Sequence, residues 1–193
     1  MFYNVAKFIV TVAFRIVFRI KVTGRENIPA EGRLSLCANH HNNLDPLFIS
    51  IVFPRQISWM GKKELFQNKA LAFILNHVGV FPVDRDGSDI SAIKKALKVL
   101  KSGGVLGIFP EGTRVKSFDL NNAKPGIALL TVKSKSTVLP VYIDSTYKLL
   151  SKVHIKFGKP IDMTLEEGQS VDYTQISKNI LISIYNLANN DPA

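Results

Sequence analysis

In the stretch NHHNNLDP, residues 39 to 46, His40 stands five positions before Asp45. Together the two side chains can make an oriented general base, in which the carboxylate accepts from one imidazole nitrogen and leaves the other free to take a proton. Histidine side chains titrate near ~6.5 in model peptides, and a carboxylate neighbour raises their basicity. On a continuous helix positions five apart lie ~140° around the axis, so the intervening residues must turn. Asp45-Pro46 reads as an N-cap followed by proline at the first helical position, which starts a helix at 46 and leaves 40 to 44 as a loop. The same letters would also suit an Asp that only caps the helix and a His bound to a backbone carbonyl. A zinc pair is disfavoured, because adjacent histidines rarely converge on one ion and no third ligand is evident. By alternation His41 points away from His40 and has a supporting role.

A protein nucleophile is not signalled. The chain has no Gly-x-Ser-x-Gly elbow, and its one cysteine, Cys37, falls inside an apolar strand where an inert buried thiol is expected. The base should therefore act on a hydroxyl that the substrate brings. Two further polar clusters end apolar runs: VGVFPVDR closes on Arg85, and FPEGTR supplies Glu111, Gly112, Thr113 and Arg114. Two guanidinium groups, a hydroxyl and a glycine-relaxed backbone suit a phosphate, which arginine binds in bidentate fashion. Lys62 and Lys63, at a strand-to-helix junction, add positive charge.

The elements that must position these groups alternate. Strands are expected at 33–38, 57–61, 78–83, 105–110, 138–143 and 152–158, and helices at 46–53, 63–78, 88–101, about 125–135 and about 172–189. In the helix SDISAIKKALKVLKSGG, Ser88 reads as N-cap, Ile90, Ile93, Leu97 and Leu100 as the inner face, and Gly103 as the stop. VLGIFP is almost wholly apolar, as a strand buried on both faces must be. The expected class is α/β, a mostly parallel sheet flanked by helices, with working residues gathered where strands end and helices begin.

Composition narrows the partners. The 193 residues carry 25 Lys and Arg against 15 Asp and Glu, a net charge of +10, so an anionic partner is expected. In FYNVAKFIVTVAFRIVFRIK the polar residues Asn4, Lys7, Thr11, Arg15 and Arg19 form one narrow helical stripe beside a wide apolar arc. The uncharged run Phe8 to Phe14 is far below the ~20 residues of a membrane span, and the internal charges do not suit a signal peptide. An interfacial helix over residues 1–22 is expected, with Lys7, Arg15, Arg19 and Lys21 on anionic headgroups. A helix packed only on its own core would explain the apolar arc equally well. Residues 23–193 form the remaining domain. Nucleic acid is not an expected partner, because no stacking aromatics interleave a basic run. No internal disulfide is available to a chain with one cysteine, which fits a cytosolic setting.

The motifs carry a resemblance. NHHNNLD resembles the N-H-x-x-x-x-D block, KKELF the lysine-rich block, GVFPVDR the G-x-F-x-x-x-R block, FPEGTR the third block and VLPV the proline-containing block of the bacterial-type 1-acylglycerol-3-phosphate O-acyltransferase (lysophosphatidate acyltransferase) family, over about residues 20 to 160. The resemblance implies the glycerolipid acyltransferase fold. It also implies transfer of an acyl chain, without cofactor or metal, from an acyl-CoA or acyl-ACP thioester (coenzyme A or acyl carrier protein) to the sn-2 hydroxyl of a lysophospholipid. On this basis His40 is the expected base and Asp45 its orienter. Arg85, Glu111, Gly112, Thr113 and Arg114 make the acceptor site, and Lys62 is a further phosphate ligand. The tetrahedral oxyanion would be held by backbone N–H groups near 40–45 or 112–114. The expected location is peripheral, on the cytoplasmic face of the cell membrane. Glycerol 3-phosphate or another lysolipid as acceptor, and a non-catalytic protein that binds anionic lipid, are the alternatives. Asn42 stands where many members have serine, and a single helix ahead of the core implies a reduced acyl groove.

Overall fold

The computed structural model describes residues 2–84, 89–164 and 170–189. In chain order its regular elements are α1 (Phe2–Val17), β1 (Arg19–Thr23), β2 (Leu34–Ala38), α2 (Asp45–Val52), β3 (Ile57–Lys62) and α3 (Lys69–His77). They continue with β4 (Phe81–Val83), α4 (Ile90–Lys101), β5 (Val105–Ile108), α5 (Gly126–Ser134), β6 (Thr137–Ser145), β7 (Lys152–Phe157) and α6 (Tyr173–Asn189). One seven-stranded sheet runs β1-β7-β6-β2-β5-β3-β4, and every neighbouring pair is parallel except β6 with β7. The expected α/β class with a mostly parallel sheet is what the chain adopts.

Alternation along the central strands divides the core in two. Leu34, Leu36 and Ala38 of β2 pack with Leu139, Val141 and Ile143 of β6 and with Phe48 and Phe53 beyond them, on the side that α1 and α2 cover. Cys37, Leu106, Ile108 and Val138 face the other side with Ala92, Ala96 and Leu100 of α4 and Ile180 and Ile184 of α6. A strand covered on both faces has no room for an alternating pattern, which is why LSLCA is buried throughout. The Cys37 thiol is among these buried groups, and burial pushes its pKa up.

Several local expectations shift. The inner face of α4 is Ala92, Ala96 and Leu100, flanked by Ile93 and Leu97, while Ile90 is exposed. Asp89 caps that helix through Ala92 N–H; the expected cap, Ser88, lies outside the described residues. The first helix stops at Val17, four residues before Lys21. Arg19 and Lys21 belong instead to β1, an edge strand whose alternating burial and pairing with β7 override a helical continuation. The residue span 1–22 is thus a helix and most of a strand, not one helix.

The apolar arc of helix α1 is only partly covered by the core. Val10, Phe14 and Val17 pack against the core, with the Phe14 ring 4.7 Å from Phe48, whereas Val5, Phe8, Ile9, Val12 and Ile16 are exposed. Lys7 does not face outward; its ammonium donates to the carbonyl of Phe53 and ties the helix to the body.

Candidate active site

The clusters NHHNNLDP and FPEGTR lie beyond the C-terminal ends of the parallel strands β2 and β5, where the sheet has ended and the backbone is free to present side chains. After β2, Asn39 ends the ladder by proxy: its side-chain amide donates to Ile143 O at 2.9 Å and accepts from Ile143 N at 2.8 Å. This fixes where the chain leaves the sheet. The next residue turns its imidazole inward, 7% exposed, and its Nδ1 lies 3.0 Å from Asp45 Oδ2.

Asp45 does more than orient one ring, and it does not cap the helix as expected. Leu44 is the N-cap of α2, with no side-chain cap bond, and Asp45 is the first helical residue. Its carboxylate reaches back instead: Oδ2 also accepts from the backbone N–H groups of His41 and Asn42, both at 2.7 Å, and Oδ1 accepts from the Tyr147 hydroxyl at 2.5 Å. The loop is therefore wrapped around a fully buried carboxylate. An ionised carboxylate only accepts, so Nδ1 carries the hydrogen and Nε2 keeps its lone pair. Nε2 has no protein hydrogen-bond partner among the described residues.

The imidazole is held from its face as well as its edge. It stacks on Phe109 with centroids 3.9 Å apart and planes at 13°, and Phe109 stacks in turn on Trp59 at 4.9 Å and 14°. Trp59 is anchored by its Nε1–H to Ser50 Oγ at 2.9 Å. Gly107 makes room for the indole, since a Cβ there would come within 2.4 Å of the ring.

Glu111, expected from the resemblance at the acceptor site, is placed under the loop by its hydrogen bonds. It is 1% exposed; its Oε2 accepts from His40 N–H at 2.9 Å and its Oε1 lies 2.6 Å from the Tyr185 hydroxyl. These contacts make it a strut between the His40 backbone and α6. Burial, helped by the charge of Asp45, pushes its carboxyl up to about 7, against the pull of the Tyr185 and His40 donors. A carboxyl that titrates near ~4.3 in the unfolded chain thus binds its proton more tightly in the fold. Its stabilising contribution is complete below about pH 4 and is lost as pH rises through about 7, worth ~3 kcal/mol in all. Glu111→Gln mimics the protonated form. We expect its melting temperature to stay nearly flat between about pH 5 and about pH 8 where the wild type declines, and parallel melting curves for the two would refute this.

Gly112 turns the loop with φ of 69°, its N–H bonded to Phe109 O at 2.9 Å. Thr113 and Arg114 follow, both exposed, and neither side chain has a hydrogen-bond or ion-pair partner among the described residues. Val115 N–H donates to His40 O at 2.9 Å, which seats this loop against the dyad. Lys62 ends β3 with its ammonium 3.6 Å from Glu64 and half exposed. Arg85 lies outside the described residues. The N–H groups of His41, Asn42 and Leu44 are engaged within the loop and that of His40 by Glu111, whereas those of Thr113 and Arg114 have no protein partner among the described residues. His41 turns toward α6, its Nε2 3.4 Å from Asn39 Nδ2 and 3.5 Å from the Tyr185 hydroxyl. A mainly apolar cavity of about 190 Å³ opens beside this loop, walled by Phe109, Ile93, Ile108, Ile127 and Leu130.

A family model described as "Acyltransferase" matches residues 19–144, a span that holds the dyad and the 111–114 loop. The chain belongs to this acyltransferase family. Among relatives in the family, the 1-acyl-sn-glycerol-3-phosphate acyltransferase of Bacillus subtilis is 38% identical over 122 residues, 63% of this chain and 60% of that one. The protein of the same name from Borreliella burgdorferi is 30% identical over 162 residues, 83% of this chain and 64% of that one. That of Streptococcus pneumoniae is 35% identical over 136 residues, 67% and 50% of the two chains. The match thus spans between half and two thirds of the length of these acyltransferases. The crystal structure of the 1-acyl-sn-glycerophosphate acyltransferase PlsC from Thermotoga maritima superposes with a TM-score of 0.76 at 23% identity, covering 99% of this chain and 81% of that one, and establishes the shared acyltransferase fold.

Two residues that complete the site carry no signal in the sequence. Tyr147 and Tyr185 are 102 and 74 positions from the carboxylates they bind, in segments that read as turn and helix.

Proposed function

We propose that this chain transfers a fatty acyl group from an acyl thioester, either acyl-CoA or acyl-ACP, to the sn-2 hydroxyl of 1-acylglycerol 3-phosphate. The observation that carries the reading is the His40 imidazole, its Nδ1 bound to buried Asp45, beside a loop that presents Arg114, with neither His40 Nε2 nor the Arg114 side chain partnered among the described residues. Nε2 removes the proton of the acceptor hydroxyl as its oxygen attacks the thioester carbonyl. The thioester carbonyl oxygen then becomes an oxyanion, which the free N–H groups of Thr113 and Arg114 can bind; those of 40–42 are committed to holding the dyad. Collapse breaks the C–S bond, and the thiolate takes back the proton from His40. Arg114, with Lys62 at the end of the neighbouring strand, grips the phosphate, and the cavity walled by Phe109 accepts an acyl tail.

The exposed stripe of α1, continued by Phe73 and Ile74 of α3 where Phe2 meets the Phe73 ring at 6.2 Å, supports peripheral docking on an anionic membrane surface. No helix among the described residues is long and apolar enough to cross a membrane.

Release of free thiol from an acyl thioester, measured with and without 1-acylglycerol 3-phosphate, tests the reading; a rate independent of that acceptor, or equal with glycerol 3-phosphate, defeats it. Acyl-CoA and acyl-ACP as parallel donors separate the two thioesters. Arg114→Ala should raise the KM for the phosphorylated acceptor by ~10-fold or more and leave kcat within a few-fold. An unchanged KM would remove Arg114 from the phosphate site.

A further inference from the structure

The turn between β6 and β7, residues 146–151, leaves the sheet at the same end as the dyad and faces two ways. Tyr147 turns inward to donate to Asp45, whereas Leu149 and Leu150 are 75% and 57% exposed. Tyr147 and Leu150 both hold positive φ, 56° and 59°, which side-chain-bearing residues adopt only where surrounding bonds fix them. Those bonds are present: Tyr147 N–H donates to Ser145 Oγ at 2.9 Å, Ser151 N–H to Lys148 O at 3.0 Å, and Leu150 N–H to Val17 O at 2.8 Å. The last bond sets the leucine tip at the end of α1, where Ile16 is 72% exposed.

The surrounding charge is mainly positive, with one exposed acid, Asp144 near the end of β6, whose charge reaches Tyr147. Arg15, Arg19, Lys21, Lys148 and Lys152 are exposed, and Arg19 and Lys152 are paired in register on β1 and β7. Residues 2–23 and 145–153 contain no Asp or Glu. Apolar tips with a mainly cationic rim match the acyl and headgroup layers of an anionic bilayer and suit a solvated loop poorly.

We infer that this turn is a second lipid-contacting element, which seats Leu149 and Leu150 among acyl chains beside α1, and that Tyr147 links its seating to the dyad. The inference rests on the membrane-docked reading of α1. Its mechanical path is short: Phe14 of α1 packs on Phe48, whose ring is 6.3 Å from Tyr147, and the Tyr147 hydroxyl fixes Asp45 Oδ1. Tyr147 is a positioning residue, since it touches the orienting carboxylate and not the base.

Sedimentation of the full chain with phosphatidylglycerol-containing vesicles tests the contact, with pure phosphatidylcholine vesicles as the neutral arm. Leu149→Gln with Leu150→Gln should weaken anionic-vesicle binding ~10-fold or more and leave both melting temperature and turnover of a monomeric short-chain lysophosphatidate unchanged. Phe8→Gln with Ile9→Gln should also weaken binding. If that pair has no effect, the α1 reading fails; if it weakens binding and the leucine pair does not, the turn alone is refuted. The link is read separately. Wild type should turn over the monomeric acceptor several-fold faster once acceptor-free anionic vesicles are added, through kcat and not KM. Tyr147→Phe should bind vesicles normally yet lose that gain. No gain in wild type, or a gain that survives Tyr147→Phe, overturns the coupling.

Discussion

His40→Ala is expected to slow acyl transfer by ~10² to 10⁴ while the KM for the acceptor stays within a few-fold of wild type. The size follows from the geometry. One ring nitrogen is bound to Asp45 and the other has no partner among the described residues, so the imidazole has a single nitrogen left for proton transfer. Among the described residues the nearby candidates cannot substitute: His41 faces Tyr185 on α6, and Glu111 is buried against the His40 backbone. The fold should persist, because the bond that seats the loop on Glu111 comes from the backbone N–H of residue 40, which alanine retains. Melting curves and steady-state kinetics on the same preparation provide the check. A folded His40→Ala protein with full activity would end the mechanism proposed for this site.

Substitutions at Asp45 should divide into two outcomes that separate its charge from its hydrogen bonds. Asp45→Ala leaves His40 Nδ1, two backbone N–H groups and the Tyr147 hydroxyl facing a buried void. At ~1 to 3 kcal/mol for each unsatisfied group, the loss is on the order of the whole stability of a domain of this size, and little folded protein should be recovered. Asp45→Asn can keep its carbonyl oxygen where Oδ2 now accepts three donors and offer its amide to the Tyr147 hydroxyl, which accepts as readily as it donates. That variant should fold, yet it lacks the negative charge that supports the imidazolium, and its rate should fall ~10² to 10⁴. Urea denaturation beside kcat measures both. An active Asp45→Asn would reduce the carboxylate to a purely architectural role.

The parallel strands and their helices were legible because the central strands are mainly apolar and helices such as α4 carry a stripe of period 3.6. RIKVT was not. Arg15 and Arg19 are four apart, so the strand continues the polar stripe of α1, and only pairing with β7, more than a hundred residues away, breaks the helix at Val17. At the site, the His40 and Asp45 partnership was legible from residue types and the Pro46 helix start, and the structure places them 3.0 Å apart. What the letters hid was direction. Asp45 gathers the donors that precede it and caps nothing, and Glu111 faces the interior although it stands in a polar run between Pro110 and Gly112. Local patterning records which side chains are polar, whereas the partner of a buried carboxylate is chosen by tertiary contacts such as those of Tyr147 and Tyr185.

The stack that cushions the His40 ring ends on Trp59, and no other tryptophan exists in the chain. The molecule therefore contains its own optical gauge. Excitation confined to the indole reads one place only, a single phenylalanine removed from the base. Titrating a thioester or an acceptor into the unlabelled protein should change that emission, so occupancy can be followed in real time on variants too slow to assay.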